Sequence, residues 1–371
     1  MKITKITCFP VRIPLKPEYH MISALGQHQV SKYLLVSIET ERGINGVGEA
    51  TVMPRWSGET VWSAKAIIEE IFAPAITGLD TDDIEGISKL MDRMAIGNWF
   101  AKSAIEMALW DIRGKEQDVP VYELLGGPVR DRTITCRFSM GAYPVERART
   151  RARELVEKGF TTIKVKVGTN PEEDVARVRA VREAIGDDYE IVIDANCGFD
   201  ADTAIDVARQ LADCNVALFE QPTPRDDYAG LARVREAIDA EVMADDICFD
   251  LNQARECLRN NACDVISVYP GKNAGIRQSM EIASLTAEQN VACSIGSNLE
   301  LDVASAAMCH LVVAHKNMQV ERFPGDIMGP DYHSVSVVKE PLVIEGPTIT
   351  ITDRPGLGID VDWDVVSAHL I

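Results

Sequence analysis

Four short runs decide the fold: Thr161-Thr162-Ile163-Lys164-Val165-Lys166, Ile191-Val192-Ile193-Asp194-Ala195-Asn196, Val216-Ala217-Leu218-Phe219-Glu220 and Val242-Met243-Ala244-Asp245-Asp246. Each is apolar, and each ends in charged or polar residues. Intervals of 28, 26 and 25 residues separate Lys166, Asp194, Glu220 and Asp245, with helical patterning between them. Short β-rich runs at this spacing predict the βα repeats of a barrel, whose active face forms at the C-terminal strand ends. Three carboxylates and a lysine pair then converge on one mouth.

Working outward, further strands are expected near 134–140, 264–269, 291–295 and 318–322, which makes eight with the four above. No dinucleotide fingerprint interrupts them, so a TIM-type barrel is favoured over a doubly wound sheet. Residues 1–50 read as antiparallel strands and residues 61–117 as helices with apolar positions at helical spacing. Two irregular segments, His20–Val30 and Thr51–Thr60, carry His28 and Trp56 and suit a lid better than a linker. We place an α+β capping domain at 1–130, the barrel at 131–325, and a segment returning to the capping domain at 326–371.

Composition narrows the function. The net charge of −19 argues against nucleic acid and anionic membranes, which need a basic surface. No stretch approaches a membrane span, and Met1–Ile6 reads as a strand without a signal-peptide core. Nine scattered cysteines without a CxxC pair indicate reduced, buried thiols and a cytoplasmic compartment.

Asp194, Glu220 and Asp245 end three successive strands. Three carboxylates facing one point repel unless a hard divalent cation joins them; Mg²⁺ fits, with Mn²⁺ as its substitute. Lys164 and Lys166 lie two apart on a strand and face the same way. Crowded by each other and by a cation, a lysine there is expected to lose affinity for its proton and to serve as a base. Asn196 and Asp246 adjoin the ligands and read as their supports. Such a site suits removal of the proton α to a metal-bound carboxylate, with the metal holding the enediolate. Metal-dependent hydrolysis is the weaker reading, because none of the six histidines falls on an assigned strand end.

Five motifs carry a resemblance: Lys164-Val165-Lys166, Asp194-Ala195-Asn196, Phe219-Glu220-Gln221-Pro222, Ala244-Asp245-Asp246 and Gly271-Lys272-Asn273-Ala274-Gly275. Together they resemble the enolase superfamily, and within it the muconate-lactonizing-enzyme (muconate cycloisomerase) subgroup of the mandelate racemase–muconate lactonizing enzyme family. The resemblance covers essentially the whole chain. It implies a (β/α)₇β barrel with an α+β enolase-like capping domain. It also implies Asp194, Glu220 and Asp245 as Mg²⁺ ligands, Lys166 as the acid/base and Lys164 as its modulator. The mandelate-racemase subgroup is disfavoured, because strand seven offers no histidine.

Members of the family usually place a second catalytic lysine at the end of strand six. Here that position is Tyr269, a poor base but a possible donor. Lys272 is expected to be a solvated turn lysine that can in principle swing into the site. Glu300 resembles the family's acidic position near the substrate carboxylate, or else it simply starts the next helix. Glu321–Asp326 is expected to border the substrate, and the Asp-x-Asp pair of dipeptide epimerases is not found. These features imply a cycloisomerase acting on a small carboxylate from one face. Syn dehydration or epimerisation of amino-acid-like acids is the alternative, and a non-catalytic metal-dependent carboxylate-binding barrel is the reading from another class. A symmetric homo-oligomer is expected.

Overall fold

The computed structural model describes residues 1–371. Strands Ile3–Pro14, Val30–Thr40 and Gly46–Ala50 form an antiparallel sheet. Helix Trp99–Gln117 lies against its last strand. The two backbones touch: a Cβ on Gly48 would stand 1.8 Å from the Ala104 carbonyl, and one on Gly46 2.1 Å from that of Ala108. Glycine alone permits that approach.

Seven parallel strands form the barrel wall: Phe138–Met140, Thr162–Lys166, Glu190–Asp194, Val216–Glu220, Glu241–Ala244, Val265–Val268 and Ala292–Ile295. Each is followed by a helix, so the chain is a TIM-like α/β barrel with a capping domain. Side chains alternate across the wall. Ile193, Phe219, Ala244 and Ile266 join the main core outside. Val192, Leu218, Met243, Val265, Ala292 and Phe323 form a separate apolar layer. Asp194, Glu220 and Asp245 stand two residues beyond members of that inner layer, so the period-2 repeat carries them to the mouth on the interior face.

The expected eighth strand at 318–322 is absent. Its place is held by single bridges, Cys293–Met318 and Cys136–Gly325, with Gln319 N–H donating to Cys293 O at 2.7 Å and Arg137 N–H to Gly325 O at 2.8 Å. The Arg322 and Phe323 amides both turn back onto Gln319 O, at 3.1 and 2.9 Å, and Pro324 has no N–H to offer. The run expected near 134–140 is likewise broken. Thr133–Thr135 pairs with Thr348–Thr350 outside the barrel, and only Phe138–Met140 joins the wall.

Nor is His20–Val30 irregular: Met21–Ser23 and Gly26–His28 form a hairpin. The 51–60 segment contains a helical turn, Pro54–Ser57. Arg55 Nη1 donates to Leu25 O at 2.6 Å and joins the two. Gly26 has φ 110°, and a Cβ there would meet Arg55 Nη1 at 2.5 Å, so this contact requires glycine. No helix is long and apolar enough to cross a membrane.

Glu49 of the capping sheet accepts from Leu301 N–H at 2.8 Å and Ala304 N–H at 3.0 Å, at the start of barrel helix Asp302–Ala314. Burial pushes its carboxyl up to about 7. The folded state therefore holds a proton that the unfolded chain releases near 4.5, so stability is lost as pH rises from that value toward 7. Over the whole window the cost is about 3 kcal/mol, at 1.36 kcal/mol per unit. Melting curves from pH 5 to 8 should fall more steeply for the wild type than for Glu49→Gln. Parallel curves would contradict this.

Candidate active site

A cavity of about 370 Å³ lies between the barrel mouth and the two joined capping segments. Lys164, Lys166, Asp194, Asn196, Glu220, Asp245 and Tyr269 line it from the barrel, and His28 and Trp56 from the cap. Asp246, Lys272 and Glu300 do not reach its wall. The strand-end loops that shape it hold strained backbone. Asn196 (φ 41°), Gln221 (φ 35°) and Leu299 (φ 61°) are left-handed without being glycine, a conformation that persists where function needs it. Gln221 uses the turn to accept from the Asp245 and Ile247 amides at 2.9 and 3.2 Å, which ties the fourth strand end to the fifth.

Each carboxylate is held by a buried cation. Lys166 Nζ donates to Asp194 Oδ2 at 2.5 Å and to Asn196 Oδ1 at 2.6 Å. Lys164 Nζ reaches Glu220 Oε1 and Oε2 at 3.1 and 3.4 Å and Asp194 Oδ2 at 3.3 Å. Arg137 Nη2 donates to Glu220 Oε2 at 2.7 Å. Lys272 is not solvated: it is fully buried and donates to Asp245 Oδ1, Asp245 O and Ser267 O at 2.7, 2.9 and 2.7 Å. These three acceptors use all three of its N–H groups.

The electrostatics correct one expectation. Burial disfavours the Lys164 ammonium, but Glu220, helped by Asp194, outweighs that and holds it above the usual lysine range. The carboxylates in contact with it outweigh both burial and the Arg137 guanidinium. Burial also opposes ionisation of Asp194, yet Lys166 and then Lys164 hold it below the usual carboxylate range. Glu220 is raised by burial and by Asp194. Asp246 is pushed up to about 7 by burial, with Asp245 and Asp194 adding to it.

Five carboxylates, Asp194, Glu220, Asp245, Asp246 and Asp326, share the site with four cations, Arg137, Lys164, Lys166 and Lys272. Asp246 Oδ1 and Asp326 Oδ1 are buried without partners. The three strand-end carboxylates line one cavity but do not converge on one point, because ammonium groups occupy the space between them. An all-oxygen donor set of three carboxylates suits a hard divalent cation, provided the long lysine side chains swing aside.

On the sixth strand end, Tyr269 is buried and its Oη has no partner. Its ring stacks on Trp56 with centroids 5.6 Å apart and planes 9° from parallel, and Trp56 packs in turn on Phe100 and Phe249. Burial, then Asp245 and Glu300, hold the phenol well above its usual value. It stays a neutral donor. His28 Nε2 lies 2.5 Å from Ser31 Oγ, and burial lowers its proton affinity. Glu300 neither meets the cavity nor merely starts a helix. It folds onto its own loop, accepting from Ser297 Oγ at 2.7 Å and from Asn298 N–H at 2.9 and 3.0 Å.

Asp326 and Ser139 also line the cavity. Sequence reading passed over Ser139, Arg137 and the inward role of Gln221. Arg137 just before the first wall strand and Ser139 on it, beside Lys164 and Lys166 on the next, were the available signal.

Two family profiles match the chain. One is described as mandelate racemase / muconate lactonizing enzyme, N-terminal domain, over residues 3–126; the other as enolase C-terminal domain-like, over residues 147–365. The hydrophobic dipeptide epimerase of Enterococcus faecalis is 34% identical over 363 residues, 97% of this chain and 99% of its own. Muconate cycloisomerase 1 of Rhodococcus opacus is 32% identical over 337 residues, 90% of this chain and 89% of its own. The crystal structure of the E. faecalis dipeptide epimerase complexed with Mg and L-Leu-L-Tyr has a TM-score of 0.91 at 33% identity, covering 97% of this chain and 100% of that one.

Proposed function

Since the chain belongs to the mandelate racemase / muconate lactonizing enzyme family of the enolase superfamily, we propose that it moves the proton α to the carboxylate of a small acid. Lys166 is the working group, and it acts from one face only. The observation that carries this reading is the asymmetry of the mouth: a lysine on the second strand and a neutral phenol on the sixth, across the barrel.

Asp194, Glu220 and Asp245 would hold a divalent cation, by their chemistry Mg²⁺. When bound, that cation supplies fixed positive charge beside the substrate carboxylate, which acidifies the α C–H. Asn196 and Asp194 aim the Lys166 amine. Lys164 stays an ammonium and keeps positive charge at the place where negative charge develops. The Trp56–Tyr269 stack closes the opposite face, and Tyr269 Oη–H can donate to a substrate oxygen. A site with one proton-moving face supports ring closure or syn elimination, a cycloisomerase or lyase outcome.

Epimerisation is the second reading, and Asp326 favours it. Asp326 lines the cavity and its buried Oδ1 has no partner; a carboxylate there suits an ammonium or amide N–H better than a second substrate carboxylate. An amino-acid-like acid fits both readings. Incubating such acids with the enzyme and Mg²⁺ in D₂O, and following α-deuteration by NMR, tests the proposal. No exchange across a broad set of small acids would sink it. Tyr269→Phe should lower turnover about 100-fold, the low end for one positioned proton donor, with an unchanged melting temperature. Unchanged turnover removes Tyr269 from the mechanism.

A further inference from the structure

Arg137 is the largest fully buried side chain in the protein. It occupies the break between Thr133–Thr135 and Phe138–Met140, where its amide closes the barrel on Gly325. By strand alternation it points inward with Ser139, and its guanidinium comes to lie beneath Glu220. Only Nη2 is bonded within the protein; Nε and Nη1 have no partner. A cavity of about 120 Å³ adjoins it on the side away from the mouth, edged by Thr162, Glu190, Leu218 and Phe323. A few waters fit there, at about 30 Å³ each.

This is an expensive arrangement. Arginine cannot shed its charge, and a buried ion pair is often worth no more than apolar side chains of the same volume. Stability alone does not explain it. Its one bond does. Glu220 offers two oxygens, and Lys164 spans both, at 3.1 and 3.4 Å. Arg137 takes Oε2 from below at 2.7 Å, and Lys164 lies nearer Oε1.

We propose that Arg137 is a positioning residue that pins Glu220 Oε2 from inside the barrel, so that Oε1 keeps its place for the metal once Lys164 swings aside. This rests on the reading of Glu220 as a metal ligand. Calorimetric titration of the full-length protein with MgCl₂, beside melting curves in EDTA, tests it on the wild type, Arg137→Met and Arg137→Lys. The expected result is Mg²⁺ affinity about 10–100-fold weaker in R137M, the range for residues that orient a ligand. R137K should recover part of it, because a lysine lacks the planar fork. The melting temperature in EDTA separates any loss of stability in R137M from the loss of Mg²⁺ affinity. Unchanged Mg²⁺ affinity in R137M overturns the proposal, whatever happens to its stability. Should R137M not fold, R137K decides: affinity equal to wild type overturns the proposal and weaker affinity supports it. A wild type that binds no Mg²⁺ would overturn the ligand reading itself, a different failure.

Discussion

Lys166→Ala is expected to lower α-proton exchange into D₂O by about three to four orders of magnitude, the upper range for loss of a positioned acid/base. No other group can replace it. Tyr269 is held neutral by burial. Lys272 spends all three N–H groups on Asp245 and Ser267. Lys164 is kept charged by Glu220. His28 sits in the cap against Ser31. The variant should fold, since Asp194 keeps Lys164 and the Asn196 amide as partners. NMR of the α position over a day of incubation is the check. Residual exchange within tenfold of wild type would assign the proton transfer to another residue.

Glu220→Gln should remove Mg²⁺ binding and lower stability together. Glu220 is the middle of three carboxylates, on a strand in register with Asp194 on one side and Met243 on the other. Its charge is the only carboxylate that both Arg137 and Lys164 contact. Neutralising it leaves a buried guanidinium facing an amide, a loss of about 3–5 kcal/mol for one missing partner of a buried pair. Removing one of three anionic ligands also costs metal affinity, beyond the 10–100-fold expected of an outer residue. Calorimetric titration and thermal melting should both show large changes. A variant that binds Mg²⁺ as well as the wild type would exclude Glu220 from the metal site.

The residues that could be read from sequence are those whose role follows from their own strand. Asp194, Glu220 and Asp245 each follow an apolar run, and period-2 alternation carries each onto the interior face above the apolar floor. The barrel followed from the same repeat. What escaped depends on partners distant in the chain. Lys272 sits in a turn, but its side chain folds inward to Asp245, 27 residues away. Arg137 meets Glu220 across 83 residues. A lysine of the pair was expected to be depressed by its neighbour and a cation together; Lys164 is instead held charged by Glu220 and Asp194, distant in the chain. The missing eighth strand turns on which carbonyl the Arg322 and Phe323 amides choose, which no apolar pattern encodes. The hairpin at 21–28 is too short and polar to show alternation.

The central claim is one-sided proton transfer, and stereochemistry tests it most directly. A small amino-acid-like acid that exchanges its α-hydrogen in D₂O with Mg²⁺ should be recovered partly converted and analysed by chiral separation and mass. The expected result is deuterium in recovered substrate of unchanged configuration, with none of its enantiomer. Deuterated enantiomer formed as fast as deuterated substrate would show two working faces and contradict the account.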